Sequence, residues 1–112
     1  MELNLGVRPR RRIRFRGPVG SRLEANRTEV MAALKLHGVT NPRVFGSVAR
    51  NEDTDDSDLD LLASLPKGMG LVALGRLQAE LEEILGVPVD IVPERDLKPR
   101  VRARIEGDVV PL

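Results

Sequence analysis

The chain has 112 residues and a formal net charge of +1, which fits one domain, and at 41% hydrophobic it can build a core. Without cysteine and with one histidine, His37, it excludes disulfides, thiolate metal sites, cysteine nucleophiles and zinc sites that need several imidazoles. Two Phe, with no Tyr or Trp, argue against a stacked-aromatic platform for single-stranded nucleic acid.

The near-neutral total conceals an asymmetry. Residues 1–50 carry 11 Lys/Arg against 3 Asp/Glu, and residues 51–112 carry 7 against 14. Arg8, Arg10, Arg11, Arg12, Arg14 and Arg16 crowd one stretch flanked by Pro9, Gly17, Pro18 and Gly20. Like charges at that density repel, and the Pro and Gly oppose regular structure, so residues 1–20 are expected to be a basic, disordered tail and residues 21–112 the domain. Such arginines also suit nucleic-acid phosphates, the weaker of the two readings. No apolar stretch matches a membrane span or a secretory h-region, and the expected location is the cytoplasm.

From Ser21 the apolar spacing of Leu23, Val30, Met31 and Leu34 predicts a helix, with Ser21 as N-cap and Gly38 as stop. His37 falls in its last turn, where imidazole suits the helix dipole better than catalysis. Arg43-Val44-Phe45 predicts a short strand, and Ser47 to Arg50 a helical turn. An acidic loop runs from Asn51 to Ser57, with Glu52 to Asp56 expected to be solvated. Asp58 to Leu65 predicts a second strand, ended by Pro66. Leu71 to Leu85 forms an amphipathic helix closed by Gly86. Val87 to Val92 predicts a third strand, and a last helix starts near Leu97-Lys98-Pro99, with Asp96 as its cap, and ends near Glu106. The strand–helix–strand stretch 58–92 has the length of a crossover between parallel strands. The fold class is therefore α/β, or α+β in stricter terms: a small mixed sheet with helices mainly on one face.

The chemistry concentrates at Asp58-Leu59-Asp60. Strand alternation sends both carboxylates to one face while Leu59 and Leu61 enter the core. Two adjacent anions are kept close when a hard divalent cation such as Mg²⁺ bridges them. Asp90 interrupts an apolar strand between Val89 and Ile91, and reaches the same cluster if its strand lies beside the second. Three carboxylates around one or two Mg²⁺ ions suit phosphoryl-type transfer. Gly46 and Ser47, where the first strand meets the turn, supply close backbone approach and a hydroxyl for phosphate, and Arg50 supplies a cation.

Gly46-Ser47, ten residues, then Asp58-Leu59-Asp60 matches the GSx10DxD signature of the DNA polymerase β-type nucleotidyltransferases. The wider stretches Val44 to Arg50, Ser57 to Leu62 and Val87 to Val92 resemble the minimal nucleotidyltransferases (MNT proteins) over residues 21–112. The resemblance implies that Asp58, Asp60 and Asp90 are the catalytic, Mg²⁺-binding acids, with Asp90 also the base. It implies that Gly46 and Ser47 hold the triphosphate of ATP, the co-substrate. Asn51 stands where many relatives carry Gly, a departure expected to be tolerated. Minimal members usually pair with a small all-helical HEPN protein, often an RNA-cleaving toxin. The implied reaction is transfer of AMP to a toxin tyrosine, with this chain as antitoxin. Alternatives are a non-catalytic antitoxin acting by contact and a two-component transferase acting on a small molecule.

Two decoys are set aside. A calcium loop starting at Asp56 would place Leu61 where Gly is needed and Lys67 where Glu is needed. The GxGxxA run Gly68 to Ala73 imitates a dinucleotide fingerprint, but Pro66 and Lys67 separate it from the strand.

Overall fold

A computed structural model of the chain describes residues 13–112. In chain order these form α1 (Pro18–Ala25), α2 (Arg27–Leu36), β1 (Thr40–Phe45), α3 (Gly46–Ala49), β2 (Leu59–Ser64), α4 (Leu71–Leu85), β3 (Val89–Pro93), α5 (Pro99–Ile105) and β4 (Val110–Pro111). Short 3₁₀ turns at Glu94–Asp96 and Glu106–Asp108 flank α5. The four strands make one mixed sheet in the order β3-β2-β1-β4. Strands β2 and β3 run parallel across the α4 connection, whereas β1 is antiparallel to both β2 and β4.

Alternation decides where the core lies. Leu59, Leu61 and Ala63 of β2, Val44 of β1 and Val89 and Ile91 of β3 are buried with Val19 and Leu23 of α1, Val30 and Leu34 of α2, and Leu77, Leu81 and Leu85 of α4. The expected mixed sheet with helices mainly on one face is what the chain forms. The crossover helix has the bounds that its apolar spacing predicts, and Gly86 ends it at φ 72°, in the left-handed region that glycine enters freely. Residues of α4 also protect the outer edge of β3. Glu82 accepts a hydrogen bond from the Val89 N–H at 2.9 Å, and Gln78 accepts one from the Ile91 N–H at 2.9 Å. These are the donors that an edge strand otherwise leaves unpaired.

The N-terminal boundary differs from expectation. The line drawn between residues 20 and 21 falls inside α1, whose N-cap is Gly17 and not Ser21. Phe15 is only 1% exposed, and Glu24 accepts the N–H groups of Arg14 at 2.8 Å and Phe15 at 3.1 Å. The amide of Asn51 accepts the Arg16 N–H at 2.8 Å and donates to the Arg14 carbonyl at 3.0 Å. Residues 13–20 thus belong to the folded unit, because one buried aromatic and a set of paired backbone groups outweigh the local charge. Arg8 to Arg12, and the nucleic-acid reading placed on them, lie outside the described residues.

Three further expectations change. The single helix from Ser21 is two helices, broken at Asn26 (φ −114°, ψ 19°). The cap of α5 is Lys98, with Asp96 drawn into the preceding 3₁₀ turn. Asp53, expected to be solvated, is 8% exposed and accepts the Val19 N–H at 2.8 Å and the Gly20 N–H at 3.0 Å. It therefore caps α1, whose first turn leaves these donors free, from far along the chain. The N-cap Gly17 has room for no side chain, since a Cβ there would overlap the Asp53 carboxylate.

Candidate active site

The site lies on the sheet face that α1, α2 and α4 do not cover. Asp60 pairs in register with Phe45 of β1 on one side and with Asp90 of β3 on the other. The parallel β2–β3 register puts the Asp60 and Asp90 carboxylates on the same face, two strands abreast. Asp58 is exposed just before β2, and the Leu59 N–H that follows is fixed by the Pro88 carbonyl at 2.9 Å. The residues expected from sequence to form the acidic centre are therefore neighbours in space.

Their electrostatics show it. Asp60 is half-buried, and its pKa is pushed up to about 6 from 3.8, first by loss of water and then by the charges of Asp90 and Asp58. Arg50 partly opposes the shift. Asp60 thus holds its negative charge reluctantly in the metal-free fold, and a cation placed there would relieve the repulsion. Among the described residues no three acidic or imidazole groups stand converged into a ready-made ion cage. The donor chemistry, the Asp60 and Asp90 carboxylates side by side with Asp58 near enough to raise the Asp60 pKa, is that of hard oxygen ligands and fits a hard divalent cation.

Gly46 meets this centre from the end of β1. Its φ is 77°, and a Cβ there would sit 2.5 Å from Asp60 Oδ2. Both facts require glycine, one through backbone conformation and the other through space. The turn α3 continues with half-buried Ser47, and Arg50 follows as its C-cap. Arg50 is exposed; its Nε donates to Glu52 at 3.0 Å, and its Nη1 stands 3.7 Å from Asp108. These partners, the Glu52 bond foremost, make its guanidinium still harder to deprotonate. Next, Asn51 sits at φ 58°. Asparagine tolerates that left-handed conformation better than most side chains, so it can stand where glycine is usual.

Sequence reasoning missed a second polar group on this face. Glu94 bonds Arg43 Nη1 at 2.9 Å and Ser64 Oγ at 3.1 Å, with Arg102 Nη1 at 3.9 Å. The Arg43 bond is the main reason that its carboxyl is held below the usual range. Ser64 follows Asp60 on alternate positions of β2, a periodic signal that was readable, whereas its meeting with Glu94 depends on the β2–β3 pairing.

The family model for the nucleotidyltransferase domain matches residues 29–111. The chain belongs to this family. It is a nucleotidyltransferase of the minimal type. A Methanocaldococcus jannaschii protein named provisionally as protein adenylyltransferase MJ0435 is 39% identical over 82 residues, or 73% of this chain and 88% of that protein. Protein adenylyltransferase MntA of Thermococcus cleftensis is 36% identical over 73 residues, covering 65% of this chain and 74% of that protein. A solved structure described provisionally as a minimal nucleotidyltransferase superposes with a TM-score of 0.73 at 47% identity, covering 82% of this chain and 94% of the other. A crystal structure of a toxin–antitoxin with AMP-PNP superposes with a TM-score of 0.68 at 18% identity, over 77% of this chain and 71% of that one, a likeness of fold. No helix among the described residues is long and apolar enough to cross a membrane.

Proposed function

We propose that this nucleotidyltransferase is a Mg²⁺-dependent protein adenylyltransferase that moves AMP from ATP to a tyrosine of a small helical HEPN-type toxin, and so acts as its antitoxin. The observation that carries the reading is the register of Asp60 beside Asp90, with Asp58 close by and Gly46 facing Asp60. The relatives named as protein adenylyltransferases support the choice of reaction, and the toxin–antitoxin fold neighbour is consistent with the partner.

The residues divide the work. Asp58, Asp60 and Asp90 would hold the cation, which neutralises phosphate charge and favours an ionised acceptor oxygen. The backbone at Gly46, the Ser47 hydroxyl and Arg50 hold the triphosphate, and Arg50 exchanges exposed carboxylate partners for phosphate oxygens. The acceptor approaches from β3, an edge strand on which Asp90 is exposed. Its hydroxyl gives its proton to the Asp90 carboxylate as its oxygen forms a bond to the α-phosphorus. The bond from that phosphorus to the bridging oxygen breaks, and pyrophosphate leaves in line.

The test is to incubate the protein with its genetically linked partner, α-labelled ATP and Mg²⁺, then map the label by mass spectrometry. AMP on a partner tyrosine is the expected result. A stable complex without label would replace the reading with a contact-only antitoxin, and label on a small-molecule acceptor alone would replace it with the two-component transferase.

A further inference from the structure

Gly46, Ser47 and Arg50 stand at one end of the connection from α3 to β2, and Asp58 and Asp60 at the other. Asp60 is placed by its strand. Asp58 is exposed and precedes β2, so its position depends on the backbone to either side. After it, the Leu59 N–H is held by the Pro88 carbonyl at 2.9 Å. Before it, a closed turn leads back to Asp53. The Thr54 N–H donates to Ser57 Oγ at 2.8 Å, the Ser57 N–H donates to the Thr54 carbonyl at 3.1 Å, and the Asp56 N–H donates to Thr54 Oγ1 at 3.3 Å. Whatever holds Asp53 therefore also holds the approach to Asp58.

Asp53 is held by α1, through the Val19 N–H at 2.8 Å and the Gly20 N–H at 3.0 Å. A helix N-terminus is ordinarily capped by the side chain of its own N-cap residue, a local bond that ties down nothing else. Here the N-cap is Gly17, and the Asp53 carboxylate fills the space that a side chain there would take. A local cap would serve α1 as well, whereas the distant one also fastens the loop to the helix. The arrangement costs stability: Asp53 is buried, and its Oδ1 has no hydrogen-bond partner. Capping α1 does not by itself account for such a group, but fixing the loop does. We infer that Asp53 is a positioning residue for the cation site: anchored on the first turn of α1, it sets the loop so that the Asp58 carboxylate stands where one divalent cation can bridge it to Asp60 and Asp90. This inference rests on the assignment of those three acids to the cation in the reading above.

The test is to titrate the full chain with Mn²⁺, a paramagnetic probe of hard divalent sites, and follow the free ion by its EPR signal, with a melting curve for every variant. Asp53→Ala should weaken Mn²⁺ binding about tenfold or more, as the loss of a group that orients a metal ligand does. Gly17→Ala drives its Cβ into the Asp53 carboxylate and should weaken binding in the same way, which keeps the test open if Asp53→Ala does not fold. Asp53→Asn loses the charge but keeps an acceptor for both N–H groups, and should bind Mn²⁺ nearly as wild type does. Val30→Ala, a core change in α2, should lower the melting temperature and leave Mn²⁺ binding unchanged. Folded Asp53→Ala or Gly17→Ala protein that binds Mn²⁺ as wild type does overturns the inference. So does Asp53→Asn weakened as much as Asp53→Ala, which would make the effect one of charge, or Val30→Ala weakened alongside them, which would make it one of stability. In all three cases the cation assignment stands, provided that Asp60→Asn abolishes binding. Wild type that binds no Mn²⁺, or Asp60→Asn that binds it undiminished, defeats the cation assignment and this inference together.

Discussion

Strand β2 serves two faces that differ in chemistry. Leu59, Leu61 and Ala63 are buried against the helices, while Asp60, Leu62 and Ser64 face the other way, toward α5 and the acidic centre. On the first face burial is favourable at every position. On the second a half-buried carboxylate sits beside two others and resists ionisation. Stability and chemistry are thus interleaved one residue apart, and substitutions at neighbouring positions should separate them.

The largest expected effect is on the polar face. Asp60→Asn should lower nucleotidyl transfer by about a thousandfold, the loss of several kcal/mol of charge stabilisation. The same change should stabilise the metal-free fold at pH 8. Asp60 has a folded-state pKa of about 6 against 3.8 for the ordinary carboxyl. The native state therefore takes up a proton that the unfolded chain does not, and the fold gains stability as pH falls through 6, in full only below about 4. Urea denaturation of wild type and Asp60→Asn should give curves that differ at pH 8 and converge near pH 4.

On the apolar face the signs reverse. Leu61→Ala should destabilise by about 2–5 kcal/mol, as large-to-small core changes do, with transfer per folded molecule retained. Gly46→Ala sits between the two faces. Its new Cβ meets φ 77° and the Asp60 carboxylate together, so about 1–2 kcal/mol of backbone strain should accompany a loss of transfer. The smallest effect belongs to Asn51, which ties Arg14 and Arg16 ahead of α1. Asn51→Gly keeps the left-handed backbone but loses the amide bonds to Arg14 and Arg16, costing about 1 kcal/mol, whereas Asn51→Ala should cost more. Thermal melts of the two variants side by side check the order.

Much of this was legible in the sequence because it is local or periodic. The alternation Asp58-Leu59-Asp60-Leu61 fixes which side chains go inward, the apolar spacing from Leu71 to Leu85 bounds α4, and Asp90 stands out within an apolar strand. What escaped is non-local. Asp53 caps α1 across 34 residues, so nothing near either segment marks the contact, and Phe15 sits among charges that mask its burial. Strand β4 is two residues long and exists only through its pairing with β1. The Arg43–Glu94 pair likewise arises where β1 and the end of β3 meet the same strand, a product of sheet order that spacing alone does not carry.

The most direct measurement is pyrophosphate release from ATP and Mg²⁺ in the presence of the acceptor, wild type against Asp58→Asn, with a melt of each. Asp58 is exposed, so the variant should melt at the wild-type temperature while releasing no pyrophosphate above background. Undiminished release by a folded Asp58→Asn protein would contradict the assignment of nucleotidyl transfer to this carboxylate centre.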